Sequence, residues 1–349
     1  MTLLKRLFKR LLLLLVALLV LLVGVAFVMP DKAHGERSIV IDRPPSMVFG
    51  VLNGFKRFND WSPWAGLDPN AVMTRSGPDT GVGAKFAWKG NSEVGEGTQE
   101  IVLSEPNKRI QSALDFGPMG QAVATYVLVP EGGGTKLNWA FDSKLPLAFD
   151  RKFGWNLIGR LMGPWMGNWV GKDYERGLAS LKSLMASMPN ADIAELEVDV
   201  GAVTARPTYF ISTQAALDSA SSTAALMAAI AEISVFATLN ALQQAGPPRA
   251  VINGHDAQQW QFDVTIPYDR NDAAPGDRLK TGATHAGKVA LFKHVGSYDT
   301  LGDTHTKAHA WLAVNGWKEI GRRSEIYVSD PVNTPEAERL TIIEVPIEP

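Results

Sequence analysis

Cysteine is absent from this sequence of 349 residues. Without thiols the chain can form no disulfide, no thiolate-based active site and no cysteine-ligated zinc or iron–sulfur centre. An excess of charge of either sign is lacking too, because the formal net charge is only -2 at pH 7. The chain therefore has no basic footprint for nucleic acid, and we predict no nucleic-acid partner. Hydrophobic residues at 46% and charged residues at 20% are typical of a folded protein.

Motifs of common enzymes are missing as well. The glycines at 132–134 indicate a hairpin turn rather than a phosphate cradle, and there is no Gly-x-Ser-x-Gly elbow. His305 and His309 stand four residues apart on a predicted helix, a spacing that can place two imidazoles on one face for a metal. Since a third ligand is missing, the sequence favours an exposed polar helix face. We predict no metal site, no cofactor and no complete catalytic constellation.

An uncharged apolar run at residues 11–28 follows four basic residues, Lys5, Arg6, Lys9 and Arg10. As a helix this run would reach about 27 Å, close to the thickness of a bilayer's hydrocarbon core. The run ends without the small-x-small pattern of a signal-peptide cleavage site. The sequence predicts an uncleaved, single-pass anchor over residues 1–33. The basic flank predicts a cytoplasmic N-terminus, an inner-membrane location and soluble domains on the periplasmic or extracytoplasmic side.

Residues 34–187 show the pattern of one mixed domain. A strand at residues 38–41 is followed by a helix that Pro44 and Pro45 open and that runs to about Phe58. Five alternating stretches between residues 82 and 142, separated by glycine, proline and asparagine, predict an antiparallel meander. A long helix closes the block, with one apolar stripe formed by Val170, Tyr174, Leu178, Leu181 and Met185.

This block resembles the polyketide-cyclase/dehydrase branch of the START-like (SRPBCC) superfamily over about residues 36–186. The resemblance is carried by Ile39-Val40-Ile41-Asp42-Arg43-Pro44-Pro45, Trp61-Ser62-Pro63-Trp64, Gly81-Val82-Gly83-Ala84, Trp88 and Gly171-Lys172-Asp173-Tyr174. It implies a helix-grip fold, in which a curved sheet wraps the last helix and leaves a cavity. It implies no single function, because relatives include lipid carriers, cyclases and chaperone-activating modules.

Glycines recur every four residues at Gly159, Gly163, Gly167 and Gly171. Such a repeat can form the seam of a membrane helix dimer. Arg160, Pro164 and Asn168 argue against a spanning helix. The sequence instead favours a close backbone approach where a loop enters the closing helix.

Residues 188–349 contain an internal sequence repeat, which follows a linker near residues 187–195. The segment 246–252, followed by a strand at 262–267, mirrors the later strand pair that ends in Val345-Pro346-Ile347. A helix precedes each pair, and the spacing near eighty residues predicts a duplicated unit. The first copy has Ile252 where the second has Tyr327.

The second strand pair contains Glu325 and Tyr327 within the segment 324–331. Because side chains alternate along a strand, Glu325 and Tyr327 point to one side of it, and Ile326 and Val328 point to the other. If the latter pair faces a core, the carboxylate and the phenol look into a cleft. A carboxylate among ring faces suits organic cations. The alternative is a solvated glutamate on a half-exposed strand.

This half resembles the GyrI-like domain, the effector-binding module also found behind AraC- and MerR-type DNA-binding regions. The resemblance rests on the segments 294–301, 310–317, 335–336 and 340–347. It implies two strand-helix-strand-strand units with a ligand cleft between them, where Glu325 matches the acidic residue. Members bind amphipathic, often cationic, molecules, and some resemble hydrolases that use a glutamate with aromatic partners. Ile342 stands where the closing strand often carries a second glutamate.

Tryptophan and tyrosine combine a large apolar area with a polar handle, which suits the lining of a pocket. Plain core packing is the alternative for each of them. We predict ligand contacts in two cavities, from Trp61, Trp64 and Trp88 in the first domain and from Glu325, Tyr327, Trp260, Tyr298 and Trp311 in the second.

The predicted fold class is α+β: an N-terminal transmembrane helix, a helix-grip domain, then a GyrI-like duplicated domain. The predicted function is a membrane-tethered protein that holds hydrophobic or amphipathic, including cationic, small molecules. One alternative is a hydrolase or cyclase in which Glu325 acts as general base and Tyr327 orients the reactant. Another is an interaction module whose cavities are filled by side chains.

Overall fold

A computed structural model describes residues 2–117, 120–145, 149–150, 154–155 and 157–348. The chain divides into two compact units, Met1–Met188 and Pro189–Pro349. The sequence had placed the boundary after residue 187. Helix α1, Thr2–Val28, opens the first unit, and its leucine and valine side chains are exposed over most of its length.

The rest of the first unit is a sheet that wraps a helix. After β1 (Lys32–Ile41) come α2 (Pro45–Leu52) and α3 (Phe58–Trp61). Six strands follow: β2 (Val72–Ser76), β3 (Lys85–Lys89), β4 (Glu96–Glu105), β5 (Arg109–Asp115), β6 (Gln121–Glu131) and β7 (Gly134–Lys144). A short hairpin, β8 (Phe149–Asp150) and β9 (Gly154–Trp155), precedes α4 (Leu157–Ala186). The seven long strands form an antiparallel sheet in the order β1-β7-β6-β5-β4-β3-β2.

Three local features of this unit differ from the sequence predictions. Strand β1 begins at Lys32, not at residue 38, and strand β2 was missed. The first helix ends at Leu52 rather than near Phe58. This helix ends early because Gly54 pairs with Thr80 of a neighbouring loop. The contact is so close that a Cβ added to Gly54 would lie 2.6 Å from the carbonyl oxygen of Asp79.

Helix α4 packs on the sheet through the predicted stripe, whose members Tyr174, Leu178, Leu181 and Met185 are buried. The glycine repeat lies inside this helix and not in a loop, so that part of the prediction was wrong. The predicted close approach is confirmed, since a Cβ on Gly167 would collide with the carbonyl oxygen of His34.

The second unit consists of one curved sheet and two principal helices. Its elements are β10 (Val198–Val203), β11 (Pro207–Ala216), α5 (Ser219–Leu239), β12 (Arg249–His255), β13 (Gln259–Pro267), β14 (Lys280–Ala283), β15 (Gly287–Val295), α6 (Leu301–Val314), β16 (Lys318–Glu319), β17 (Ser324–Tyr327) and β18 (Leu340–Glu348). The strand order is β10-β15-β18-β17-β12-β13-β11-β14, and β16 pairs with β18.

The order of these strands is symmetric about the contact between β12 and β17. These two central strands are antiparallel, and Ala250 lies opposite Glu325. Ala250 pairs with Val264 of β13, and Glu325 pairs with Ile343 of β18. When Pro267 and Pro346 are matched, Ala250 corresponds to Glu325 and Ile252 corresponds to Tyr327. The register therefore agrees with the duplication inferred from the sequence.

Each half has its own core under its own helix. Helix α5 buries Leu226, Ala229 and Ile233 against β11 and β13, and Asp218 caps its N-terminus by accepting a hydrogen bond from the Ser221 amide. Helix α6 buries Ala308 and Leu312 in the core of β15 and β18. The two separate cores flank the central strands β12 and β17, with Ala250 of β12 buried in the first of them.

Two helices of the described chain are long and apolar enough to cross a membrane, Lys5–Val28 and Ala220–Leu239. The second belongs to α5, whose apolar face packs on the sheet. The first presents its apolar side chains to the surroundings.

Candidate functional site

A cavity of about 960 Å³ opens where the central strands of the second unit lie between the two helices. Its floor is apolar and comes from the first half, with Ala250, Ile252 and Phe262 on β12 and β13 and Leu226 on α5. Its aromatic and ionisable lining includes Trp260, Tyr298, His305, His309, Glu325 and Tyr327.

Glu325 and Tyr327 share one face of β17, as strand alternation predicts. The Tyr327 hydroxyl donates a hydrogen bond of 2.7 Å to Glu325 Oε2. Ile326 is half-buried on the other face, opposite Ile342. Val328 lies beyond the end of β17 and is exposed, so the expectation that it might face a core is wrong.

The phenols at this site are held in their neutral form. Burial, followed by the adjacent Glu325 charge and the hydrogen bond to it, raises the pKa of Tyr327 well above its usual value. Burial also raises the pKa of Tyr298, against the opposing effect of Arg339. The two rings meet edge to face, with centroids 5.5 Å apart and planes at 70°. Tyr327 therefore keeps its proton and donates it in the hydrogen bond to Glu325.

His305 binds the other oxygen of the same carboxylate. Its Nε2 lies 2.8 Å from Glu325 Oε1, and the two side chains are only 16% and 17% exposed. The interpretation of His305 as part of an exposed polar helix face was therefore wrong. Both carboxylate oxygens are engaged, one by a phenol and one by an imidazole.

A group of paired charges also lines the cavity, from His309, Glu319, Arg322 and Arg323. Arg323 donates two hydrogen bonds to Glu319, of 2.6 Å and 2.5 Å, and Arg322 lies 2.8 Å from Asp263. His309 stands 3.9 Å from Glu319; burial first, then Arg323, lowers the pKa of His309. Among the described residues, no group of three His, Asp or Glu side chains is arranged to hold a metal ion.

The predicted aromatic contacts divide between the cavity and the cores. Trp260 and Tyr298 line the cavity beside Glu325 and Tyr327. Trp311 packs edge to face on Phe292 in the core of the second half, 5.5 Å between centroids. On a helix, Trp311 is six residues and therefore about 240° beyond His305, which puts the two side chains about 120° apart around α6 and on different faces. Its placement in the cavity was wrong.

The three tryptophans predicted to contact a ligand in the first unit, Trp61, Trp64 and Trp88, belong to clusters of aromatic rings. Trp61 is only 2% exposed and meets Trp139 edge to face at 5.4 Å. Trp64 also contacts Trp139, at 6.1 Å, and Trp88 stacks on Phe86. Trp61 therefore has a core position rather than the ligand-contacting one that was predicted. Ligand binding by this unit stays a prediction.

A smaller cavity of about 320 Å³ lies on the other face of the same sheet. Here Arg249 reaches across to Glu344, 3.2 Å away, and the Ser324 hydroxyl donates to the same carboxylate. Glu344 follows Ile343, which lies opposite Glu325, so alternation turns Glu344 away from the large cavity. The closing strand thus adds no carboxylate next to Glu325.

His305 is the site residue that sequence reasoning missed. Its spacing from His309 was noticed, but its partner is twenty positions away on β17. Only the rotation of α6 about its axis, set by the burial of Ala308 and Leu312, determines which helix face meets the strand. A helical projection anchored on those two apolar residues is the signal that could have found it.

Comparison with known families gives two matches, in the order expected from the sequence. Residues 32–186 match the family described as polyketide cyclase/dehydrase and lipid transport. Residues 209–348 match the GyrI-like small molecule binding domain. No curated protein matches the chain significantly.

Solved structures with similar folds include the C-terminal domain of EcmrR, at 17% identity and a TM-score of 0.40, covering 44% of this chain and 98% of that one. A hydrolase from Listeria innocua shares 16% identity with a TM-score of 0.33, over 44% of this chain and 92% of its own. EcmrR in a complex with DNA covers 58% of this chain and 90% of its own, at 13% identity and a TM-score of 0.40. None of these likenesses supports an assignment of activity or partner. The two family matches identify the chain as a START-like domain of the polyketide cyclase/dehydrase family followed by a GyrI-like domain.

Proposed function

We propose that this chain is a membrane-tethered binding protein that holds an amphipathic organic cation in the GyrI-like unit. The observation that carries the proposal is the position of Glu325. Its carboxylate is 17% exposed and lies among the rings of Trp260, Tyr298 and Tyr327 in a cavity of about 960 Å³. Cavities of roughly 300–1,000 Å³ hold drug-sized molecules.

The chemistry of the lining selects for a cation with apolar surface. A ring face attracts positive charge through its quadrupole, most strongly when the cation is desolvated. The apolar floor of Ile252 and Phe262 favours a ligand that buries hydrocarbon. A partly buried carboxylate gains most from a partner of opposite charge, because water screens it less than a surface group.

The tether is α1, whose first turns carry Lys5, Arg6, Lys9 and Arg10 ahead of the apolar run at residues 11–28. These basic residues support a cytoplasmic N-terminus. Both folded units then lie on the extracytoplasmic side of the inner membrane. The START-like unit is the part of the chain that holds a hydrophobic molecule, supported by the lipid-transport relatives of its family. Mass spectrometry of lipid co-purifying with the full chain tests this; ligand-free protein in every preparation would count against it.

The cation proposal is tested with tetraphenylphosphonium, a permanent cation with an apolar surface, by quenching of tryptophan fluorescence. Tetraphenylborate has the same shape and the opposite charge. We expect saturable binding of the cation only. Glu325→Gln should weaken it by about 1.5–3 kcal/mol, roughly 10- to 100-fold in Kd.

Asp299→Asn is the matched control, because it removes one negative charge from the lining of the same cavity while leaving the carboxylate among the rings intact. It should change the Kd little. Equal losses in the two variants would mean that net charge alone attracts the cation. Unchanged affinity in Glu325→Gln would refute the proposal.

The contact between His305 and Glu325 favours a second candidate, a hydrolase with a histidine–glutamate pair. A general base must have an oxygen or nitrogen free to take a proton from the reactant. Here one carboxylate oxygen accepts from Tyr327 and the other lies against His305. Binding is therefore the better supported function. If the wild-type chain hydrolyses members of a panel of esters and Glu325→Gln does not, the hydrolase becomes the better supported function.

A further inference from the structure

Helix α4 carries large apolar side chains on its surface near its N-terminus. Trp165 is 52% exposed and Trp169 is 50% exposed, and Met162 is exposed beside them. Their spacing of three and four residues places them on one helix face. A cluster of exposed large apolar groups marks an interaction surface. We call these three residues the α4 surface.

The α4 surface lies at the end of the unit where the anchor enters. Helix α4 runs in the same direction as β1, because Gly167 lies against Gly35 and Gly171 against Arg37 further along both elements. The first turns of α4 therefore point back toward the start of β1, just beyond the end of α1. Helices α1 and α4 are in contact. Helix α1 and the helix that carries the α4 surface thus adjoin within one unit.

The charge pattern of α4 changes along the helix in the same direction. Residues 157–172 contain no acidic residue, whereas Asp173 and Glu175 follow immediately. Of the two basic residues in this half, Arg160 is buried and Lys172 is exposed. Membrane surfaces carry phosphate groups, which repel acidic residues near them. The half of α4 next to the anchor therefore has no acidic side chain that a phospholipid surface would repel.

Tryptophan is the residue type that suits this position. The indole ring is apolar and its N–H is polar, which is why tryptophan collects at the boundary between hydrocarbon and headgroups. That boundary layer is about 5–8 Å thick on each side of the bilayer. A helix lying in it presents an apolar face inward and its polar face to the phosphates.

We propose that the N-terminal half of α4 lies in the headgroup layer of the bilayer that α1 crosses, with Trp165 and Trp169 inserted among the lipids. This rests on the membrane tether proposed above. The START-like unit then has a fixed orientation and lies on the membrane, held by α1 and the α4 surface together. A hydrophobic molecule can pass between lipid and this unit without crossing bulk water.

The absence of cysteine makes the test direct, because each introduced thiol is the single label site. The full chain is prepared as Trp165→Cys, Trp169→Cys, Val20→Cys or Leu239→Cys, labelled with a small fluorophore and reconstituted in phosphatidylcholine–phosphatidylglycerol vesicles. Val20 lies in α1 and reports the tether. Leu239, at the end of α5, is an exposed apolar residue outside the α4 surface and serves as the control.

We expect nitroxide placed near the lipid headgroup to quench the labels at 165 and 169, and nitroxide deep in the acyl chain to quench the label at 20. Aqueous iodide should quench the label at 239 only. Circular dichroism melts check that each variant folds, and replacing an exposed side chain should leave them unchanged.

Three results would overturn the proposal. Iodide quenching at 165 and 169 equal to that at 239 would mean that the α4 surface faces water. Protection from both iodide and nitroxide lipid would mean that another protein covers it. If nitroxide lipid does not quench the label at residue 20, α1 does not cross the bilayer. The proposed contact between the α4 surface and the membrane is then wrong as well. Cation binding by the GyrI-like unit is independent of all three results.

Discussion

Cation binding by the GyrI-like unit should become tighter when His305 is replaced by alanine. The imidazole Nε2 lies 2.8 Å from Glu325 Oε1, and both side chains are largely buried. The imidazole therefore occupies the carboxylate oxygen that an incoming cation needs. In His305→Ala this oxygen is free, so tetraphenylphosphonium reaches it without displacing a side chain.

The magnitude follows from the hydrogen bond that the cation must displace. A hydrogen bond to a charged group contributes about 1.5–3 kcal/mol. The wild-type chain loses this contribution when the cation takes the place of the imidazole, and the His305→Ala chain does not. The Kd of His305→Ala should therefore be roughly 10- to 100-fold lower than that of wild type.

Titration calorimetry measures the Kd of tetraphenylphosphonium for each chain. His309→Ala is the matched control, because His309 lines the same cavity but lies 3.9 Å from Glu319 instead of contacting Glu325. Its Kd should stay near that of wild type. A His305→Ala chain that binds the cation no more tightly than wild type, or an equal gain in His309→Ala, would refute the reasoning.

Two further predictions concern stability. Arg249→Met leaves Glu344 as an unpaired buried charge and should cost about 3–5 kcal/mol of unfolding free energy in urea titrations, while the double variant with Glu344→Met should recover most of this; an Arg249→Met chain as stable as wild type would show that the pair is already solvated. Gly167→Val forces a side chain against the His34 carbonyl and should cost about 1–3 kcal/mol, whereas Gly201→Ala, which meets nothing within 4 Å, should leave the melting temperature near that of wild type; equal melting temperatures for both would contradict the close helix–strand contact.

Much of the fold could be predicted because it follows from local periodicity. Alternation placed Glu325 and Tyr327 on one strand face, and the observed hydrogen bond between them depends on that. The three-to-four spacing along α4 located the buried stripe. The two matching strand pairs indicated the duplication before any contact was known.

The parts that failed depend on contacts distant in sequence. The rotation of α6, which turns His305 toward Glu325 and Trp311 toward Phe292, is set by its packing on β15 and β18. The early end of α2 depends on the pairing of Gly54 with Thr80. The residue type and its neighbours in the sequence do not show whether a tryptophan lines a pocket or packs in a core. Trp61, which is buried in a core, is an example.

The duplication explains why the site has one central carboxylate. Residues related by the internal symmetry meet at the contact between β12 and β17, where Glu325 faces Ala250. Residues opposite each other on antiparallel strands have Cβ atoms about 4.5–5.5 Å apart, and like charges there are destabilising. Two glutamates would repel each other in a partly buried cavity, whereas one glutamate leaves room for His305 and a ligand. Duplication supplied the enclosing walls, and a difference between its halves supplied the charge.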